Sequence, residues 1–374
     1  MHGIIIATNG VTLDLMGFTI SGDQDSSDYG IFLDGTTNNL IEQVIVKNGI
    51  IHNFNSSGIY AKHCQSCRFK HCISNSNHLG IDFEHVSGST ISDCTINNNN
   101  SYGFRLYSDS YQCNNNTIVN CLICQNKNCG INFSSHQGHC DGNKISDCTI
   151  NNNGSDGILF YGYDAYCNGN KVSNCTINEN THNGIIFFGR DGHCNDNKVS
   201  ECIINANKTN GIRANASYNG QSNGNKIANC TINNNGEVGI DLYGNNGQSN
   251  GNTISDCTVN ENADKGIYLY GYQGKCDGNV ITGCTILKNA SRGIYIYYSD
   301  GNRIEGNHIA EQSGTTTYGI SCGGSKNLIF RNTCVGQTHN FLISTANVYG
   351  PIVSTAGELS TTGAGAHPLA NFSF

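Results

Sequence analysis

Cysteine recurs at a fixed interval through the middle of this chain. Cys94, Cys121, Cys148, Cys175 and Cys202 are each 27 residues apart, Cys230 follows after 28, and Cys257 and Cys284 after 27 each. A Gly-Ile pair keeps the same beat from Gly130-Ile131 through Gly157-Ile158 and Gly184-Ile185 to Gly293-Ile294. A period of about 20–50 residues marks a stack of identical units, none of which can bury its apolar face alone. Such a stack grows in one dimension, so 374 residues need not divide into two or three separate cores.

One unit, residues 145–171, shows what is being stacked. Ile145 and Ile150 flank Cys148, then come Asn151-Asn152-Asn153, Gly157, and the run Ile158-Leu159-Phe160-Tyr161. Short β-rich runs alternate with Asn, Gly and Ser turns, and no helical period of useful length appears. The expected fold is all-β: a parallel β-helix of about twelve coils, roughly 55–60 Å long at about 4.8 Å per coil. The expected division is residues 1–350 as the solenoid and 351–374 as a non-repetitive cap or tail.

Alternation predicts which side chains point inward. The Ile of each Gly-Ile pair does, and so does the residue two later: Phe133, Phe160, Phe187, Ala214, Leu242, Leu269 and Ile296. The Cys94-to-Cys284 series reads as a further inward row of small hydrophobes. Asn99, Asn126, Asn153, Asn180, Asn207, Asn235, Asn262 and Asn289 form a row of their own. Asn suits left-handed turn backbone, and stacked amides bond to one another along an axis. This row is therefore read as structural.

The pattern resembles the right-handed parallel β-helix superfamily, the pectate-lyase-like proteins and the carbohydrate-binding and sugar-hydrolase group that includes NosD-like proteins. The coils from Gly30 to about Arg331 carry the resemblance. Val11-Thr12-Leu13-Asp14-Leu15 resembles a first coil, and Gly350 to Phe374 resembles a tail of bacterial members. The resemblance implies the hand of the coil and a carbohydrate setting. It does not fix the chemistry, because fold alone does not.

The coil length varies in one place only. Ile91 to Gly103, Ile145 to Gly157 and Ile254 to Gly266 each span 12 residues. The other half spans 11 residues from Gly80 to Ile91 and from Gly293 to Ile304, but 15 from Gly103 to Ile118 and 16 from Gly211 to Ile227. Seven consecutive coils thus carry the same inserted turn, with the first at Asp109–Cys113 and the last at Gln273–Cys276. Solenoid insertions fall on one face, which is often the binding face.

An outward strand position precedes each turn: Tyr107, Ser134, Tyr161, Phe188, Asn215, Tyr243, Tyr270 and Tyr297. Two residues earlier stand Arg105, Asn132, Leu159, Ile186, Arg213, Asp241, Tyr268 and Tyr295. Tyr107, Tyr161, Phe188, Arg213, Tyr243, Tyr270 and Tyr297 are the expected substrate-binding residues, since sugar rings pack on aromatic faces while their hydroxyls take polar partners. Tyrosines stacked only to support the sheet are the competing explanation.

Tyr161-Gly162-Tyr163-Asp164-Ala165-Tyr166 is distantly similar to the Tyr-Gly-Phe-Asp-Pro-His motif of mannuronan C5-epimerases. Tyr166 stands where that motif has His, and His193 supplies a His one coil later. The similarity implies catalytic roles for Tyr161 and Asp164, and with Arg190, Asp191 and His193 one coil away the expected catalytic group is Asp164, Arg190, Asp191 and His193. Proton abstraction next to a uronate carboxylate needs such a mixture of cation and acid–base groups.

Other classes are thinly supported. A net charge of −8 offers no basic footprint for nucleic acid. No run of about 18 apolar residues spans a membrane, and no signal peptide is visible, so the chain reads as starting inside the fold at Met1. Twenty cysteines are expected to be mostly free thiols, since Ser222 and Ser249 replace Cys in the row of Cys113, Cys140, Cys167, Cys194 and Cys276. Cys64 and Cys67 with His63 and His71 have only a weak zinc-like spacing. No metal or cofactor is expected, with calcium the one candidate.

The leading expectation is an extracellular, periplasmic or cell-surface protein that binds a polysaccharide or glycan along the inserted turns. The alternatives are a polysaccharide lyase or uronate epimerase, and a structural rod that self-associates through its bare ends.

Overall fold

The computed structural model describes residues 2–24, 27–354 and 367–374. Met1, read above as the start, and residues 355–366 of the expected tail lie outside the described residues. Among those described, every regular element is a strand, and no helix is long and apolar enough to cross a membrane.

Each coil with the inserted turn contributes one long strand and two short ones, whereas in the early coils the short pair is a single strand, as at Arg68–Asn75. In the coil already dissected these are Lys144–Ser146, Thr149–Asn151 and Ile158–Tyr163. Each strand pairs in parallel with its counterpart one coil away: Ile145 with Val172, Ile150 with Ile177, Phe160 with Phe187. Fourteen strands follow one another along the path of the long sheet, so about twelve full coils stand between the first and the last. The molecule is a right-handed parallel β-helix, in keeping with the general hand of parallel crossovers.

The predicted inward rows fill the core. Ile158, Phe160, Ile185, Leu242 and Ile267 are all buried, and Phe83, Phe104, Phe133, Phe160 and Phe187 pack in series with centroids 5.2, 6.0, 5.0 and 5.1 Å apart, edge-on at Phe104 and stacked between Phe160 and Phe187. Gly157 is dictated by closeness: a Cβ there would lie 2.6 Å from the Gly184 carbonyl oxygen and 2.7 Å from Ile177.

All 20 cysteines are free thiols, and only Cys124 is less than fully buried. Burial pushes the Cys140 and Cys167 thiols well up, which makes them poor nucleophiles. Cys64 and Cys67 also lie in the core, whereas His71 sits half-exposed beside Asp93 at 3.8 Å. The described residues gather no group of three or more His, Cys, Asp or Glu side chains able to hold a metal ion.

The asparagine row is a continuous amide ladder. Asn99 Nδ2 donates to Asn126 Oδ1 at 2.8 Å, Asn126 to Asn153 at 3.0 Å, and the series runs to Asn262 and Asn289 at 2.9 Å. The left-handed backbone, however, lies one residue earlier than the row itself. Asn98, Gln125, Glu179, Ala206 and Lys288 have φ of 55°, 58°, 56°, 54° and 53°. The strained position takes almost any side chain, while the buried position is fixed as Asn by its hydrogen bonds. A second ladder runs through Asn116, Asn143, Asn170, Asn197, Asn225, Asn252 and Asn279, with side-chain bonds of 3.1–3.2 Å, on to Asn302, Asn327 and Asn347.

Pairing continues beyond residue 350. Asn371–Ser373 pairs with Thr333–Val335, and Asn371 Oδ1 accepts from the Asn332 N–H at 3.0 Å. This segment therefore extends the ladder of Asn307 and Asn332.

Candidate functional site

The candidate site is the outward face of the long sheet, together with the turns along one of its edges. Parallel register puts outward side chains from successive coils in columns about 4.8 Å apart. One column runs Tyr107, Ser134, Tyr161, Phe188, Asn215, Tyr243, Tyr270 and Tyr297. Its neighbour runs Arg105, Asn132, Leu159, Ile186, Arg213, Asp241, Tyr268 and Tyr295.

The first column is a broken stack. Tyr161 lies 5.3 Å from Phe188. Tyr243 and Tyr270 are nearly parallel at 4.9 Å, with Tyr297 6.0 Å beyond. Ser134 and Asn215 interrupt it. In the second column Tyr268 and Tyr295 stack at 5.1 Å. Seven tyrosines thus converge over the last coils, because Tyr272 and Tyr298 join them 5.3 Å apart. These two were not singled out in the sequence, since they lie in the variable turns, yet they are 43% and 51% exposed.

Cations sit on these rings. Arg213 lies 4.6 Å from the Tyr243 ring centre, and Arg292 is held between Tyr295 at 4.3 Å and Tyr318 at 4.9 Å. Lys265 lies 4.8 Å from Tyr268. Arg105 is 5.6 Å from Tyr107. Cation–π contact of this kind contributes roughly 0.5–2 kcal/mol, depending on exposure.

Two carboxylates beneath the face were missed as a feature. Asp82 is buried and takes Arg105 in two bonds of 2.8 and 2.7 Å. Asp241 is buried with Arg213 at 3.1 Å. Burial raises both; Asp241 is pushed up to about 6 although Arg213 opposes the shift. Arg213 is therefore already paired, and its charge is largely met within the sheet.

The residues expected to be catalytic sit in the turns. Asp164 and Asp191 occupy the same left-handed position of successive turns, with φ of 48° and 53°. Both are exposed. The Asp164 N–H donates to the Arg190 carbonyl at 3.2 Å. Arg190 packs on Tyr163 and Tyr218, 5.5 and 4.9 Å from their ring centres, and its Nε is buried with no hydrogen-bond partner among the described residues. Burial raises the Tyr161 hydroxyl, opposed by a hydrogen bond with Arg190. His193 stacks on Tyr166 at 4.9 Å, and Tyr166 on His139 at 4.7 Å. Tyr166 and His193 are thus steps of one ladder, bridged on to Gln221, Gln248 and Lys275.

Comparison with known proteins places this geometry in context. The model for the family described as "Right handed beta helix region" matches residues 2–165 and 138–277. No curated protein sequence matches the chain. Among solved structures it is similar to the Azotobacter vinelandii mannuronan C-5 epimerase AlgE4 A-module, with 13% identity, 86% of this chain and 84% of that one covered, and a TM-score of 0.54. The AlgE6 A-module from the same organism gives 15% identity, 93% and 89% coverage, and a TM-score of 0.57. The tailspike protein of E. coli bacteriophage HK620, in complex with a pentasaccharide, gives 11%, 99% and 66%, and 0.58. Identities this low speak to shared fold.

Proposed function

The chain belongs to the right-handed β-helix family, and on that premise we propose that it binds a polysaccharide along the outward face of its long sheet. The observation that carries this reading is the tyrosine cluster of the last coils. Tyr243, Tyr270 and Tyr297 form one column, Tyr268 and Tyr295 the next, and Tyr272 and Tyr298 stand exposed at its edge. A glycan laid along the helix axis meets a new ring or polar group at every coil. Its apolar ring faces pack on the phenols, while Asn, Gln and Arg side chains take its hydroxyls. Both structural neighbours named as epimerases, and the tailspike bound to a pentasaccharide, are consistent with a carbohydrate ligand. The setting proposed is extracellular, periplasmic or on a cell surface, where such polymers are met.

A polysaccharide array, followed by affinity electrophoresis in gels containing the hits, tests the reading. Binding that weakens in Tyr243→Ala and Tyr270→Ala supports it. Absence of binding to any glycan, or binding indifferent to both substitutions, overturns it.

A second reading, lyase or epimerase action on a uronate, has one observation in its favour. Arg190 brings a buried Nε with no hydrogen-bond partner among the described residues, and its backbone carbonyl accepts from the Asp164 N–H at 3.2 Å. Such a cation would stabilise the charge that develops when a proton leaves the carbon next to a carboxylate. Incubation with uronate polymers would then yield ultraviolet-absorbing unsaturated ends or a changed epimer ratio. Neither product appearing excludes it, and products persisting in Asp164→Asn with His193→Ala would exclude these residues as the seat of the chemistry.

A further inference from the structure

Toward the N-terminus the outward columns change character, where the coils lose the inserted turn. The first column continues from Tyr107 to Glu84, Lys62 and Asp34. The second continues from Arg105 to Asp82, Tyr60 and Phe32. We propose that this end of the face is a subsite for a cationic sugar, a residue carrying a protonated primary amine, seated on Tyr29 and Phe32 and paired with Asp34. The proposal rests on the glycan-binding reading and names the chemical class that this end selects.

The seat is a cavity of about 420 Å³ whose lining includes Tyr29, Phe32, Asp34, Thr36, Tyr60 and Lys62. Its floor is aromatic. Tyr60 stacks against Tyr29 at 4.5 Å and against Phe32 at 5.2 Å. Its wall is the chain reversal at Thr36–Asn39, closed by two backbone hydrogen bonds of 3.0 and 3.1 Å. Gly35 permits that reversal, because a Cβ there would lie 2.3 Å from the His63 carbonyl oxygen.

The charges around the cavity leave one unmet. Lys62 Nζ lies 2.8 Å from Glu84, and the Tyr60 hydroxyl also donates to Glu84. Burial raises the Glu84 carboxyl, but Lys62 and Tyr60 outweigh it and hold it below its ordinary value. Arg105 is engaged by Asp82. His2, on the far side of Tyr29, faces Asp28 at 3.4 Å. Burial and the Lys62 charge lower the His63 imidazole, which disfavours its cationic form. Asp34 is exposed and belongs to none of the ion pairs formed around the cavity among the described residues. Among the described residues the remaining charge is therefore the Asp34 carboxylate, beside an aromatic cluster in which Tyr29 is held between His2 and Tyr60. A uronate would meet repulsion at this point, and a neutral sugar would gain no ion pair.

The test compares chito-oligosaccharides in their deacetylated, amine-bearing form with the fully N-acetylated form, by calorimetry at mildly acid pH and low salt. The amine form is expected to bind about threefold more tightly, the scale of an exposed ion pair. Asp34→Asn should abolish that gap, Asp34→Glu should largely restore it, and added salt should shrink it. Equal affinity for the two forms, or a gap that survives Asp34→Asn, overturns the subsite. If the acetylated form or another glycan still binds through Tyr243 and Tyr270, only the subsite falls. If no glycan binds at all, both readings fall.

Discussion

The seven coils with the inserted turn and the short coils before them obey the same core rules but differ outside. Between Gly103 and Gly293 the turns repeat, and their side chains stack on their own copies: His139 on Tyr166 on His193. Between Gly30 and Gly103 the outward residues do not repeat: Asp34, Lys62 and Glu84 share a column with three different chemistries. Repetition favours like-on-like ladders, in which each side chain's partner is its own counterpart. A binding site with a defined ligand needs unlike groups held together, and these occur where the repeat breaks. The tyrosine cluster falls between the two cases, since its rings stack on one another and still offer open faces at Tyr272 and Tyr298.

The largest expected effect tests the shared core. Phe160→Ala removes a fully buried ring from the phenylalanine stack and should cost about 3–5 kcal/mol. Chemical denaturation monitored by circular dichroism would register it. A loss below about 1 kcal/mol would mean that the core is not packed as described.

Next come the amide ladders. Asn153→Ala leaves the Asn126 backbone N–H without its acceptor and Asn126 Nδ2 with only the Ile96 carbonyl. Each buried group so orphaned costs about 1–3 kcal/mol. Asn152→Ala, one residue away at the left-handed position, should cost less, which directly separates the two roles.

A smaller effect concerns the buried carboxyl of Asp241. Its folded value of about 6 lies above the ordinary 3.8. The stability linked to this group is therefore fully present below the unfolded value and lost as pH rises from about 4 through about 6. Thermal melts across that window should show the fall. Arg213→Leu should push the Asp241 carboxyl higher still and steepen the fall, because the opposing cation is gone. A melt profile identical with and without Arg213 would contradict the pairing. Smallest of all, Asp164→Asn should leave stability nearly unchanged, since the left-handed turn accepts Asn, and any effect would appear in turnover of a uronate polymer alone.

Much of this was legible in the sequence, for a definite reason. Strand periodicity is two and the coil period is constant, so Ile158, Phe160 and Cys148 announce their inward direction by spacing. The same arithmetic puts Arg213 opposite Asp241, 28 residues on, although their pairing was not drawn from it. The second asparagine ladder keeps the 27-residue beat and was equally available. What spacing could not supply was the N-terminal column. Asp34 to Lys62 is 28 residues and Lys62 to Glu84 is 22, so no common period aligns them and only strand pairing brings them together. Nor could spacing separate the left-handed residue from its buried neighbour. Both recur with the coil, and their difference lies in φ and in hydrogen bonding.

The central claim is that the unlike, aromatic outward face binds glycan while the repeated turns and ladders support it. The most direct measurement is the migration of the wild type, Tyr243→Ala with Tyr270→Ala, and Asp164→Asn with His193→Ala through gels containing the polysaccharide found by array. The account expects the tyrosine pair to lose retardation by about tenfold or more in apparent affinity, with the turn variants retarded like the wild type. Retardation that survives in the tyrosine variant and vanishes in the turn variant would contradict it.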